Sequence, residues 1–191
     1  MKRPVPVRRR KLLGLALGVW LALLAPASAL AQGVELASLD LLREDGLLTV
    51  SFDARLTLPR AVESALQHGV PLYFVAEATL YRNRWYWRDE RLARVTRSWR
   101  VAFQPLTTTW RVSLGGFSQT HPTLPEALAV ITRATRWRLA ELAALDPEAR
   151  HYVEFSYRLD STQLPSPMQI GLGGQSDWQL GIERTLRLDP P

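Results

Sequence analysis

Leu48-Thr49-Val50-Ser51-Phe52-Asp53-Ala54-Arg55-Leu56-Thr57 alternates apolar and polar side chains without a break. Successive side chains of an extended chain point to opposite faces, so this period puts Leu48, Val50, Phe52, Ala54 and Leu56 on a buried face and the residues between them in water. Toward the N-terminus, Glu44-Asp45-Gly46 supplies Asp-Gly turn chemistry, which makes residues 35–43 the expected partner arm of a hairpin. Toward the C-terminus the alternation returns in Leu72, Phe74, Ala76, Ala78 and Leu80, but there the opposite face carries Tyr73, Val75 and Tyr81, as expected of a central strand. Val95, Trp99, Val101 and Phe103 mark a further strand, and after Pro105-Leu106-Thr107-Thr108 the chain returns through Trp110, Val112 and Leu114 to Gly115-Gly116, which reads as a hairpin.

Two short helices interrupt the strands. Pro59 opens the first, Leu58, Val62, Ala65 and Leu66 form its apolar stripe, and Gly69 ends it. The second has the capping pattern Thr123-x-x-Glu126, with Pro125 in its first turn and Leu124, Ala127, Leu128 and Ile131 on one face. Residues 136–145 hold six Ala and Leu residues with no firm period, so Trp137 and Leu139 fit a strand or a helix, and a strand running to Glu141 is the reading adopted. Val153, Phe155, Tyr157 and Leu159 alternate after an Asp146-Pro147-Glu148 turn, and Trp178, Leu180, Ile182, Leu186 and Leu188 are assigned to a last strand. Between them, Leu164-Pro165-Ser166-Pro167 and Gly171 to Gly174 read as a loop. Seven or eight strands joined mostly by short turns predict a mainly β fold, an antiparallel β-sandwich with two short connecting helices; a single curled sheet is the alternative.

The first 31 residues have a different character. Lys2, Arg3, Arg8, Arg9, Arg10 and Lys11 precede any acidic residue, and Leu12 to Ala25 is apolar except for Gly14 and Gly18. Pro26 and a run of small residues follow. A basic segment, a short apolar core and a small-x-small site describe a secretory signal. Fourteen residues fall short of the ~20 that a membrane-spanning helix needs, so cleavage is favoured over an uncleaved anchor. Of the sites Ala27-Ser28-Ala29 and Ala29-Leu30-Ala31, the second is preferred, and it makes Gln32 the new N-terminus. Residues 1–31 are thus read as a cleavable signal peptide and residues 32–191 as a single domain in the periplasm, touching the membrane only through the signal during export. Arg9-Arg10 faintly resembles a twin-arginine signal, but the general secretory route is favoured because nothing downstream calls for a cofactor. With no cysteine in the chain, neither a lipid anchor at the cleavage site nor a disulfide framework is available. The domain must rest on its apolar core.

The precursor's pI of about 10.3 overstates the charge of that domain. The leader carries six Lys or Arg and no acid, so residues 32–191 hold eighteen arginines against eighteen acidic residues. Nucleic-acid binding, which needs a basic footprint, is not expected of a neutral body. The charge is nevertheless uneven: between Arg82 and Arg111 eight arginines face only Asp89 and Glu90. Arg94 and Arg100 share a strand face with Thr96 and Ser98, and Arg111 on the partner strand is placed beside them. Such a patch either pairs with carboxylates elsewhere or offers an anion-binding surface for a lipid head group, an acidic glycan or an envelope protein. Within the same stretch, Arg84-Trp85-Tyr86-Trp87-Arg88 interleaves aromatic rings with guanidinium groups. If extended, it points Trp85 and Trp87 to one side and Tyr86 to the other. It reads either as a core closure with arginine stacked on the rings or as an aromatic platform for a sugar, acyl chain or peptide.

Catalytic signatures are weak. His68, His121 and His151 lie far apart in the chain, and no metal-ligand spacing or nucleophile elbow occurs. Gly115-Gly116-Phe117-Ser118 has only a superficial likeness to a nucleophile loop, and Gly171-Leu172-Gly173-Gly174 lacks the flanking strand and helix of a phosphate cradle. Asp89 and Glu90, being adjacent, face opposite ways on an extended chain and form no acid/base couple by themselves. No enzyme activity, metal or cofactor is expected.

Leu58-Pro59-Arg60, Gly69-Val70-Pro71-Leu72-Tyr73-Phe74, Arg84-Trp85-Tyr86-Trp87 with Asp89-Glu90, and Leu159-Asp160-Ser161-Thr162-Gln163-Leu164-Pro165 together resemble an exported bacterial family, domain of unknown function 4390, over nearly the whole of residues 32–191. The resemblance implies an extracytoplasmic single-domain protein and brings no activity with it. Genes of such proteins tend to sit near envelope-sensing two-component systems, which implies an accessory role in sensing. In the last motif, Asp160 and Gln163 are expected to fix the loop before Pro165 by local side-chain bonds. The functional expectation is a non-catalytic binding or interaction module whose candidate residues are Arg84, Trp85, Tyr86, Trp87, Arg88, Arg94, Arg100 and Arg111. The alternatives are a purely structural envelope scaffold and a hydrolase with an unrecognised site.

Overall fold

The computed structural model describes residues 33–84, 86, 88–164 and 176–188. Residues 1–31, read above as a signal peptide, and most of the loop read between Leu164 and Gly174 lie outside these residues.

The hairpin expected from the opening alternation forms between β1 (Gly33–Glu44) and β2 (Leu47–Thr57). Asp45 and Gly46 both adopt positive φ, 51° and 74°, a two-residue turn whose twist matches that of the flanking strands. Leu48, Val50, Phe52 and Ala54 are buried. Helix α1 (Arg60–Gln67) buries Val62, Ala65 and Leu66; it starts directly after Pro59 and stops at Gly69, whose φ of 83° suits a residue without a Cβ. It carries the chain to β3 (Leu72–Arg82), which pairs on one side with β4 (Glu90–Gln104) and on the other with β8 (His151–Leu159), the central position its two apolar faces predicted.

β5 (Thr109–Leu114) and β6 (Phe117–His121) extend the sheet beyond β4. Helix α2 (Leu124–Ile131) then returns the chain to β7 (Arg133–Glu141), which pairs with β2. At its start, the Thr123 hydroxyl accepts the Glu126 amide at 3.4 Å and donates to the Glu126 carboxylate at 2.8 Å. β9 (Gly181–Leu188) closes the far side against β8. The result is two antiparallel sheets, β1-β2-β7 and β6-β5-β4-β3-β8-β9, packed as a β-sandwich that does not close into a barrel.

The core sits where the two inner faces meet. Phe52 of the small sheet lies 5.0 Å from Phe155, 5.8 Å from Tyr157 and 6.5 Å from Trp99 of the large one, measured between ring centroids. Three strands cannot cover six. The small sheet contacts β9, β3 and β4, and the overhang formed by β5 and β6 is roofed by α2, which buries Ala127 and Ile131 above Trp110 and Val112.

Three local features depart from the sequence reading. Phe117–His121, assigned to no element from the sequence, is a strand; all but its last residue are exposed, and an edge strand in water carries no apolar alternation. β7 begins at Arg133, and a register shift sets Val50 opposite Trp137 but Phe52 opposite Ala134. Arg136 takes φ 46° at this bulge, with its amide donating to Ser51 Oγ at 3.0 Å; the extra residue is what blurs the period. Finally, β9 starts only at Gly181. Trp178 belongs to a short 3₁₀ turn, and it and Leu180 are buried ahead of the strand.

Candidate functional site

The arginine-rich stretch begins in the β3–β4 connection, which is tied down by one carboxylate. Asp89 accepts the Arg84 backbone N–H at 3.1 Å through Oδ1 and the Tyr152 hydroxyl at 2.8 Å through Oδ2. These two bonds hold its carboxyl below the usual range, the Arg84 amide contributing most. Tyr152 moves the other way, pushed up to about 12 by burial and then by the bond to Asp89. Asn83 N–H adds a 2.8 Å bond to the Arg150 carbonyl, so both ends of the connection are fastened to β8 or its approach. Glu90 accepts from the guanidinium groups of both Arg82 and Arg84, and Arg82 bears most on its lowered pKa. Asp89 thus holds the Arg84 main chain and Tyr152, while Glu90 holds the Arg82 and Arg84 guanidinium groups, and the two carboxylates form no acid/base couple.

The sequence candidates do not converge on one site. Trp85 and Trp87 lie outside the described residues. Tyr86 and Arg88 are exposed at the turn. Arg94 lies further along β4 and bonds Glu77 of β3 at 2.5 Å. Arg100 is six residues beyond it, roughly 20 Å at the rise of a strand, and stands diagonal to Arg111, which pairs with Ala102. Arg97 faces inward and lies 5.0 Å over the Trp137 ring of the small sheet. Among the described residues, Arg88, Arg91, Arg100 and Arg111 have no carboxylate partner. Half of the eight arginines are thus paired or stacked and half are not.

Strand register assembles a row that the sequence reading missed. On the outer face of the large sheet Arg91 stands opposite Tyr81, Tyr81 opposite Tyr152, and Tyr152 opposite Arg187. The two tyrosine rings stack at 5.1 Å and 18°. Beside them a cleft of ≈ 690 Å³ is lined by Asn83, Asp89, Arg150, Tyr152, Thr185 and Arg187. Nearer the middle of the sheet, a smaller cleft of ≈ 380 Å³ is edged by Glu77, Glu154 and Glu183. The outer face carries cationic and aromatic groups at the turn end, then a group of carboxylates that includes the Arg94-bonded Glu77, and further along β4 and β5 Arg100 and Arg111. The available signal was the placement of Tyr81 and Tyr152 on the water side of strands whose other side is mainly apolar.

The remaining polar groups are accounted for locally. Asp160 accepts from Thr162 N–H at 3.1 Å, Thr162 Oγ1 at 2.6 Å and Gln163 Nε2 at 2.7 Å, as its loop-fixing role predicted. Burial raises its pKa, but the bonds from Gln163 and Thr162 outweigh it and the net shift is downward. His68 Nδ1 donates to the Ser64 carbonyl at 2.7 Å at the end of α1. His151 is buried at the inner end of β8, and its Nε2, like that of His121, has no hydrogen-bond partner. No cluster among the described residues brings three His, Asp or Glu side chains together as metal ligands, and no described helix is long and apolar enough to cross a membrane.

Fold and surface together define an antiparallel β-sandwich with an arginine-bearing outer sheet face. The family described as Domain of unknown function (DUF4390) matches residues 31–187, and the chain belongs to it. No curated protein and no solved structure matches the chain.

Proposed function

We propose that residues 32–191 work in the periplasm, after removal of the leader, as a non-catalytic binding module for an anionic partner, either an envelope protein or an acidic lipid or glycan. One observation carries the reading. Arginines that serve the fold are paired or stacked, as Arg82, Arg84, Arg94 and Arg97 are, whereas Arg88, Arg91, Arg100 and Arg111 have no carboxylate partner among the described residues. Guanidinium groups present planar forks of donors suited to carboxylate and phosphate. The exposed Arg150 and Arg187 add to this surface beside the tyrosine pair. An accessory role in envelope sensing fits such a module.

The test is retention of the purified protein on an immobilised polyanion as salt is raised. Removal of the leader leaves no net charge, so retention must come from local clustering. The double variant Arg100→Glu/Arg111→Glu should elute at clearly lower salt than the wild type. Unchanged elution would remove this surface from consideration.

A further inference from the structure

β4 has a long edge with no neighbour. It runs for 15 residues. β3 pairs with it from Glu90 to Val101, but β5 pairs only from Trp99 to Gln104. Residues 90–98 therefore carry one ladder, and among the described residues no strand lies on their other side. The cause is local: the Gly115-Gly116 turn reverses the chain as soon as Leu114 has passed Trp99, so the β5–β6 hairpin ends halfway along β4. In an antiparallel pair every second residue directs both its N–H and its C=O away from the partner. Ala93–Ser98, beyond the register shift near Leu92, thus offers a regular row of donors and acceptors.

The chemistry of this edge selects its occupant. Arg91 and Arg94 lie on its outer face with Arg100 beyond them, while Arg97 covers the inner face over Trp137. A second copy is disfavoured. Antiparallel pairing of two β4 edges places an arginine opposite or diagonal to an arginine in each register centred on residues 94–97, and like charges so placed repel. Segments of the chain itself fit no better. The leader holds six basic residues and no acid, and residues 165–175 contain no acidic side chain and two prolines.

We infer that the free edge of β4 is a docking strand for an extended acidic segment of another protein. The segment adds antiparallel along Ala93–Ser98 and sets carboxylates on the outer face against Arg94 and the neighbouring Arg91, with Arg100 diagonal to the end of the pairing. Arg94 bonds Glu77 through one terminal nitrogen and keeps further N–H groups for a second carboxylate. Main-chain pairing supplies affinity, and the arginines supply selection against neutral and basic strands. The inference rests on the anion-binding reading above and specifies its partner and geometry.

The experiment uses the purified protein and three synthetic peptides. The first is Thr-Glu-Val-Glu-Val-Glu-Thr, the second the same peptide with alternate amides N-methylated, and the third has lysine in place of each glutamate. Binding is followed by calorimetry and by amide hydrogen exchange. The acidic peptide should bind and slow exchange within residues 91–98, N-methylation should weaken it at least tenfold, and the lysine peptide should not bind. Equal binding of the acidic peptide and its N-methylated form would overturn strand addition while leaving the anionic reading standing. So would failure of the acidic peptide on a protein that still binds the polyanion. Loss of both peptide and polyanion binding would overturn the two together.

Discussion

Along β3 the inward residues Leu72, Phe74, Ala76, Ala78 and Leu80 are completely buried, whereas Tyr73, Glu77 and Tyr81 on the outward side remain partly open. β8 repeats the division with two tyrosines. Tyr157 points inward, packs against Phe52 and Phe74, and has a buried hydroxyl with no partner. Tyr152 points outward, and its hydroxyl holds Asp89. The same side chain serves packing on one face and polar positioning on the other. The comparison teaches that the inner face of the large sheet is committed to stability, while the outer face keeps polar and charged groups that the fold does not fully use.

The sharpest way to break this division is to empty the inner face. Phe52→Ala removes the ring that joins the two sheets, and a core Phe→Ala change costs about 3–5 kcal/mol. Urea unfolding should show that loss. A variant as stable as wild type would mean that the sheets are not held together through Phe52. A smaller change sharpens the tyrosine contrast. Tyr157→Phe deletes an orphaned hydroxyl whose burial costs about 1–3 kcal/mol, so the variant should gain stability of order 1 kcal/mol. Tyr152→Phe should show no such gain, since its hydroxyl is bonded. A destabilised Tyr157→Phe protein would show that the inner hydroxyl has a role that its surroundings do not reveal.

The inner face was also the legible one. Alternation in residues 48–56, 72–80 and 153–159 marked three strands with the correct faces, because burial forces a period of two on any strand with one wet side. The solvent side has no such constraint. Phe117–His121, with four of its five residues exposed, carries no apolar period, and the bulge at Arg136 hid one that does exist. The outer face depends on residues distant in the chain. Tyr81 meets Tyr152 and Arg94 meets Glu77 only through strand register, so local composition could count the arginines without telling which are paired. Asp160 was readable because its partners lie within three residues of it.

His151 is the group that tests whether the inner face tolerates charge. It ends β8 on the buried side, with Arg82 opposite it on β3 and Leu188 opposite it on β9. Burial pushes its pKa below the ordinary 6.5; a bond to the Ala149 backbone and the Asp146 carboxylate act against this, and the nearby Arg82 and Arg43 act with it. A histidine with a depressed folded pKa binds fewer protons in the native state than in the unfolded chain. Stability is therefore complete above the unfolded value, falls as pH drops below about 6.5, and levels off beneath the folded pKa. Asp89, Glu90 and Asp160, whose pKa values are also lowered, lose their contributions only below about pH 4–4.5, where unfolded carboxylates take up protons. The two windows are distinct. Denaturant midpoints measured between pH 7.5 and 5 should decline for the wild type and decline less for His151→Asn. Equal slopes for the two proteins would mean that this end of the sandwich admits the imidazolium, and that the apolar commitment of the inner face stops short of His151.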